Sequence, residues 1–86
     1  MNITEVIKRL VIEYDQDPYD INNGSCDCFA MDVIERMGGY TDDLYEIWND
    51  YICHCFIFYE GKYYDAECPE GVNGQFDLPI FVRNSD

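Results

Sequence analysis

The sequence predicts a small α+β domain with two amphipathic helices laid on an antiparallel sheet of about three strands. Three observations carry that prediction. Apolar residues recur at helical spacing over the first fourteen positions, a second apolar stripe of the same period begins at Cys26, and "YICHCFIFY" and "KYYDAE" flank a two-residue turn signal.

In the first helix, Ile3, Val6, Ile7, Leu10, Val11 and Tyr14 share one face, with Asn2 or Thr4 available as a cap and Glu5 in the first turn, where the dipole favours it. "YDQDPYDINNGS" then gathers Asp, Pro, Asn, Gly and Ser and is expected as a loop. The second helix is expected over Ser25 to Met37, capped by Ser25 or Asn23 and stopped by Gly38 and Gly39. "TDDLYEIWNDY" is ambiguous between a short helix capped by Thr41 and a loop. The aromatic and branched run from Tyr51 to Tyr59 forms a hairpin with Lys62 to Glu67, turning at Glu60 and Gly61. "FDLPIFV" offers a third strand, which Pro79 confines to an edge or a bulge because it has no N–H for the ladder.

Composition sets the frame for function. An 86-residue chain is expected to be a single domain spanning 1–86, and its 48% hydrophobic and 16% aromatic content is enough for one dense core. Eighteen acids against five basic residues give a net charge of −13, which repels phosphate backbones and anionic membranes and argues against direct nucleic-acid or membrane binding. The same charge favours a basic peptide or protein as substrate or partner. The opening "MNITEVIKRLVIEYDQD" interleaves acids with apolar residues, unlike a signal peptide, and no later run has the length of a membrane span, so a cytoplasmic location is expected. Five cysteines, an odd number, in such a chain argue for reduced thiols over a disulfide framework.

The helical period assigns the cysteines. At about 100° per residue, Phe29, Ala30, Val33, Ile34 and Met37 fall within about 80° of Cys26, whereas Cys28 falls beside Asp32 and Glu35 on the water side. A thiol in the first helical turn meets free backbone N–H groups and the positive dipole end, which favour thiolate; the competing reading is a small buried hydrophobe. The single histidine, His54, shares its strand face with Phe56, and the hairpin register sets Phe56 opposite Asp65 and His54 opposite Glu67. Either carboxylate can orient the imidazole while the other ring nitrogen faces a thiol. Thiol, histidine and acid are thus expected to point into one seam between helix and sheet.

At these residues the chain resembles a known family. "GSCDCFA" is similar to the Gly-x-Cys-x-x-Phe-Ala stretch that opens the nucleophile helix of transglutaminase-like proteins, and "HCFIFYEGKYYDAE" to their histidine strand, turn and aspartate strand. The resemblance covers residues 22–67 and implies a papain-like (transglutaminase-like) core in minimal form. It implies Cys26 as nucleophile, His54 as base and Asp65 as the orienting acid of a thiol-dependent acyl-transfer enzyme, a cysteine peptidase or amidase. No clear upstream glutamine supplies the oxyanion hole; the amide at Cys26 serves in part, with Gln16, Asn22, Asn23 or Trp48 as candidate second donors. "YYDAECPEG" resembles small tailed-bacteriophage proteins, which implies a viral origin and action in the host cytoplasm. No cofactor is called for.

Rival readings attach to the same residues. Cys26, Cys28, Cys53, His54, Cys55 and Cys68 offer six soft ligands for a structural zinc, although both cysteine pairs are separated by one residue where zinc sites use two to four. Cys53 and Cys55 are expected to pack with Ile57 and Tyr59 on the face opposite His54, and Cys68 reads as a loop thiol. Cys28, beside the nucleophile, is a candidate resolving thiol. The remaining alternatives are an acidic inhibitor that mimics nucleic acid on a basic host protein, and a protein that kept the fold without the activity.

Overall fold

The computed structural model of the chain describes residues 2–84. Helix α1 (Ile3–Tyr14) begins where the Asn2 side chain accepts a hydrogen bond from the Glu5 N–H at 2.9 Å, and it buries Ile3, Val6, Ile7 and Leu10. Part of the expected loop is helical. The Asp17 carboxylate accepts from the Tyr19 N–H and Pro18 occupies the first turn, which together start the short helix α2 (Pro18–Asn22). Helix α3 (Cys26–Arg36) is one residue shorter at each end than expected, and Ser25 precedes it without a side-chain capping bond. Its buried face is the expected one: Cys26, Phe29, Ala30, Val33 and Ile34.

The sheet has four antiparallel strands in sequence order, β1 (Leu44–Asn49), β2 (His54–Tyr59), β3 (Lys62–Asp65) and β4 (Cys68–Val72). The hairpin turns as expected, with Tyr59 paired to Lys62 and positive φ at both Glu60 and Gly61, the geometry that a tight two-residue turn demands.

Three expectations are corrected. Residues 44–49 are neither helix nor loop but a strand, pairing Trp48 with Cys55 and Asn49 with His54. Its core residues alternate between the two sides of the sheet, Leu44 in one cluster and Ile47 against the other, so it shows no clean period of two. Cys68 is a strand residue, not a loop thiol; β4 lies at the sheet edge, where Pro69 is tolerated, and the β3–β4 ladder is irregular. Gly71 sits there at φ 80°, and a Cβ on it would come within 2.6 Å of the Tyr64 ring. "FDLPIFV" is not a strand: Gln75–Asp77 makes a 3₁₀ turn and Pro79 opens helix α4 (Pro79–Arg83). A proline fixes φ for the first helical turn, where its missing N–H costs nothing.

Both sheet faces are covered. α1 and α3 pack on Cys55, Ile57 and Tyr64, while Leu78, Ile80 and Phe81 pack on Phe56. Among the described residues no helix is long and apolar enough to cross a membrane.

Candidate functional site

The start of β2 brings the two faces together. His54, 0% exposed, and Asp65, 2% exposed, meet through His54 Nε2 and Asp65 Oδ2 at 3.1 Å. The other oxygen of Asp65 accepts from the Glu67 N–H at 3.0 Å, which fixes the carboxylate from behind. Of the two carboxylates within reach of His54 in sequence, the structure therefore pairs it with Asp65. Glu67 turns away to a bidentate ion pair with Arg83 at 2.8 Å and to the Asn22 amide at 2.8 Å. The Arg83 guanidinium, with the Asn22 bond adding to it, holds the Glu67 carboxyl below its ordinary range despite partial burial.

The imidazole is clamped by rings. Phe56 stacks on it at 5.8 Å and Phe81 meets it edge-on at 6.4 Å. Its Nδ1 is buried and has no hydrogen-bond partner among the described residues. An unsatisfied buried nitrogen costs about 1–3 kcal/mol, so a histidine kept only for packing gains by pairing both nitrogens or by being replaced.

Cys26 lies at the margin of the α1–α3 core, and its sulfur accepts from the Cys55 N–H at 3.3 Å. That amide belongs to the peptide joining His54 to Cys55. The expectation of three side chains converging in one seam is corrected to this extent: strand alternation sends the His54 ring to the α4 face, and Cys26 reaches the His54 backbone from the α3 face. His54 and Asp65 are brought together; Cys26 is adjacent but not hydrogen bonded to the ring.

A cavity of about 230 Å³ opens on Cys26, lined by Asn23, Gly24, Asp27, Trp48 and Cys53. Of the candidate second donors, Asn23 and Trp48 border this cavity, but the Asn23 amide bonds the Tyr19 carbonyl at 2.7 Å and the Trp48 Nε1–H bonds Asp50 at 2.5 Å. Asn22 is buried and occupied by Glu67, and Gln16 is exposed in the α1–α2 connection.

The other thiols separate by environment. Cys55 is buried, as expected, with Ile57, and donates to Glu46 Oε2 at 3.3 Å; burial first, then that carboxylate, pushes its pKa up to about 12. The second Glu46 oxygen accepts from Tyr40 at 2.5 Å, which raises that phenol to about 12. Cys53 is exposed and lies ahead of β2 at φ 50°, so it does not pack beside Cys55 as expected. Cys28 is exposed on the far side of α3. The zinc alternative finds no ligand set: among the described residues no three His, Cys, Asp or Glu side chains are placed to hold a metal ion.

Sequence reasoning missed Glu46, Cys53 and Arg83 as neighbours of the site. Each depends on pairing that strand patterning alone did not reveal, β1 with β2 for the first two and α4 against Glu67 in the β3–β4 turn for the third. No family model matches the chain, and no curated protein and no solved structure matches it.

Proposed function

We propose that this chain is a thiol-dependent acyl-transfer enzyme, a peptidase or amidase with a minimal papain-like (transglutaminase-like) core, in which Cys26 is the nucleophile, His54 the base and Asp65 its orienting acid. The single observation behind this reading is the buried imidazole. One nitrogen is fixed by a carboxylate, the other has no partner, and a helix-start thiol rests on the adjoining peptide.

A proton on Nε2 donated to Asp65 leaves Nδ1 with its lone pair free, the tautomer a general base needs. Because the ring lies on the α4 face of the sheet, Cys26 reaches Nδ1 only by giving up the Cys55 amide together with a shift of the β2 start, a rearrangement this reading assigns to substrate binding. Cys26 sulfur then attacks the acyl carbon, its proton passes to Nδ1, and the carbonyl electrons settle on oxygen beside the amides of the α3 start. Collapse expels the amine, which takes the proton from His54 and leaves a thioester on Cys26. Water, losing a proton to His54, attacks the thioester and frees the acid and the thiol. The net charge of −13 and the Asp27 carboxylate at the cavity favour basic substrates.

The test is the rate of iodoacetamide alkylation at Cys26, read by peptide mass spectrometry, followed by a screen of basic acyl-amide peptides. The reading expects Cys26 to alkylate ahead of the exposed Cys28 and Cys53 at neutral pH, and to slow at least about tenfold in His54→Ala. Equal rates at Cys26 and Cys28, unchanged by the variant, overturn it. The acidic-inhibitor alternative instead expects salt-sensitive capture of a basic protein that persists in Cys26→Ser.

A further inference from the structure

The cavity on Cys26 has a second thiol in its wall. Cys53 is exposed, lines the same space of about 230 Å³, and stands two residues before the amide that holds the Cys26 sulfur. None of the remaining thiols shares this position. Cys28 is exposed on the outer face of α3; Cys55 is buried with its sulfur on Glu46; Cys68 is in the edge strand β4. Cys53 also lies outside the ladder, in a connection between β1 and β2 where its neighbour Tyr51 is 97% exposed, so a change of its side-chain rotamer disturbs no strand pairing.

We infer that Cys26 and Cys53 form a reversible disulfide that caps the nucleophile under oxidation, with Cys53, not Cys28, as the resolving thiol. This regulation rests on the reading of Cys26 as the nucleophile. With hydrogen peroxide as oxidant, the Cys26 thiolate attacks one peroxide oxygen, the O–O bond breaks, and Cys26 becomes a sulfenic acid as hydroxide leaves and is protonated to water. The Cys53 thiolate then attacks the Cys26 sulfur, the S–O bond breaks, and a second water departs. Two thiols and one peroxide thus give one disulfide and two waters. A dithiol reductant restores both thiols, whereas a Cys26 without a resolving partner proceeds to sulfinic acid, which such reductants do not reverse. The disulfide also closes the cavity that substrate must enter.

The experiment treats the native protein with hydrogen peroxide, blocks remaining thiols in denaturant, and analyses a non-reduced tryptic digest. Trypsin releases Cys26 and Cys28 together in residues 10–36, and Cys53 and Cys55 together in residues 37–62, so fragmentation of the linked pair must assign the sulfurs. The expected product is a Cys26–Cys53 link, lost in Cys53→Ser and retained in Cys28→Ser. In Cys53→Ser, peroxide converts Cys26 to sulfinic acid and dithiothreitol no longer restores its alkylation to the level of the untreated variant. A link through Cys28 or Cys55, or identical recovery of the parent and Cys53→Ser, overturns the inference. Cys26 alkylation that depends on His54 with no Cys53 link sinks the regulation alone; a Cys53 link on a Cys26 indifferent to His54 sinks the catalytic reading alone.

Discussion

Cys26 and Cys55 meet at one amide of β2, and their surroundings are opposite. The Cys26 sulfur takes the Cys55 N–H as a donor at the mouth of a cavity. The Cys55 sulfur, on the same side of the sheet, must itself donate, because what faces it is the Glu46 carboxylate. A carboxylate facing the Cys55 sulfur in a buried place keeps the proton on. Two thiols on one side of the sheet thus meet opposite partners, a backbone donor at Cys26 and a carboxylate at Cys55.

The comparison breaks most completely if the proposed nucleophile or the proposed base is removed. Cys26→Ser and His54→Ala should each lower amide hydrolysis about 10³-fold or more, while Cys55→Ala, which touches only the core thiol, should leave turnover within about threefold in whatever fraction folds. Circular dichroism on each variant separates lost chemistry from lost fold. Next in size, Asp65→Asn keeps the shape of the acid but not its charge, and should cost about 10²-fold in turnover with KM little changed, because the role proposed for Asp65 is to orient His54, which it meets at 3.1 Å.

The opposite side of the comparison is sharpened by pH. Cys55 and Tyr40 both hold their protons to about 12 in the folded chain, against ordinary values of 9.0 and 10.0. Unfolding therefore releases protons between about 9 and 12, the folded state binds more of them, and stability should fall as pH rises through that window. Thermal melts from pH 8 to 11 should show a declining Tm, with a shallower slope in Glu46→Gln. The same substitution should let iodoacetamide begin to label Cys55 at alkaline pH, though burial, the larger cause of its shift, remains.

The smallest effect lies behind the dyad. Arg83→Ala breaks the bidentate pair with Glu67 and the guanidinium contact over the Tyr19 ring at 4.8 Å, and should cost about 0.5–1 kcal/mol in urea unfolding, since the pair is partly open to solvent. Because Arg83 holds the Glu67 carboxyl below its ordinary value of 4.5, that contribution is present above pH 4.5 and lost as pH falls through the lowered value. The parent and variant should converge in stability in acid.

What was legible in the sequence follows a physical line. α1 and α3 could be read because each buries one stripe against one core, so period 3.6 survives in the residues. The β2–β3 hairpin could be read because Glu60–Gly61 demands positive φ at both positions. β1 escaped because its core residues go to both sides of the sheet and the Thr41–Asp43 segment before it looks like a helix cap. α4 escaped because Leu78, Ile80 and Phe81 are branched or aromatic, and Pro79 signals an edge strand and a helix start equally well. Hairpin register brought Asp65 and Glu67 within reach of His54 without choosing between them; the choice of Asp65 came from the family resemblance, and the structure pairs His54 with that residue. The Cys26 contact with the Cys55 amide was not legible, since it depends on how α3 docks on the sheet, which no local pattern specifies.

The most direct measurement is the pH profile of Cys26 alkylation in the parent, His54→Gln and Asp65→Asn proteins, with Cys28 in the same molecules as the internal reference. The account predicts that Cys26 outpaces Cys28 at neutral pH in the parent, that His54→Gln erases the advantage, and that Asp65→Asn reduces it. A Cys26 profile that tracks Cys28 in all three proteins would contradict it, and would leave the buried dyad without a thiol to serve.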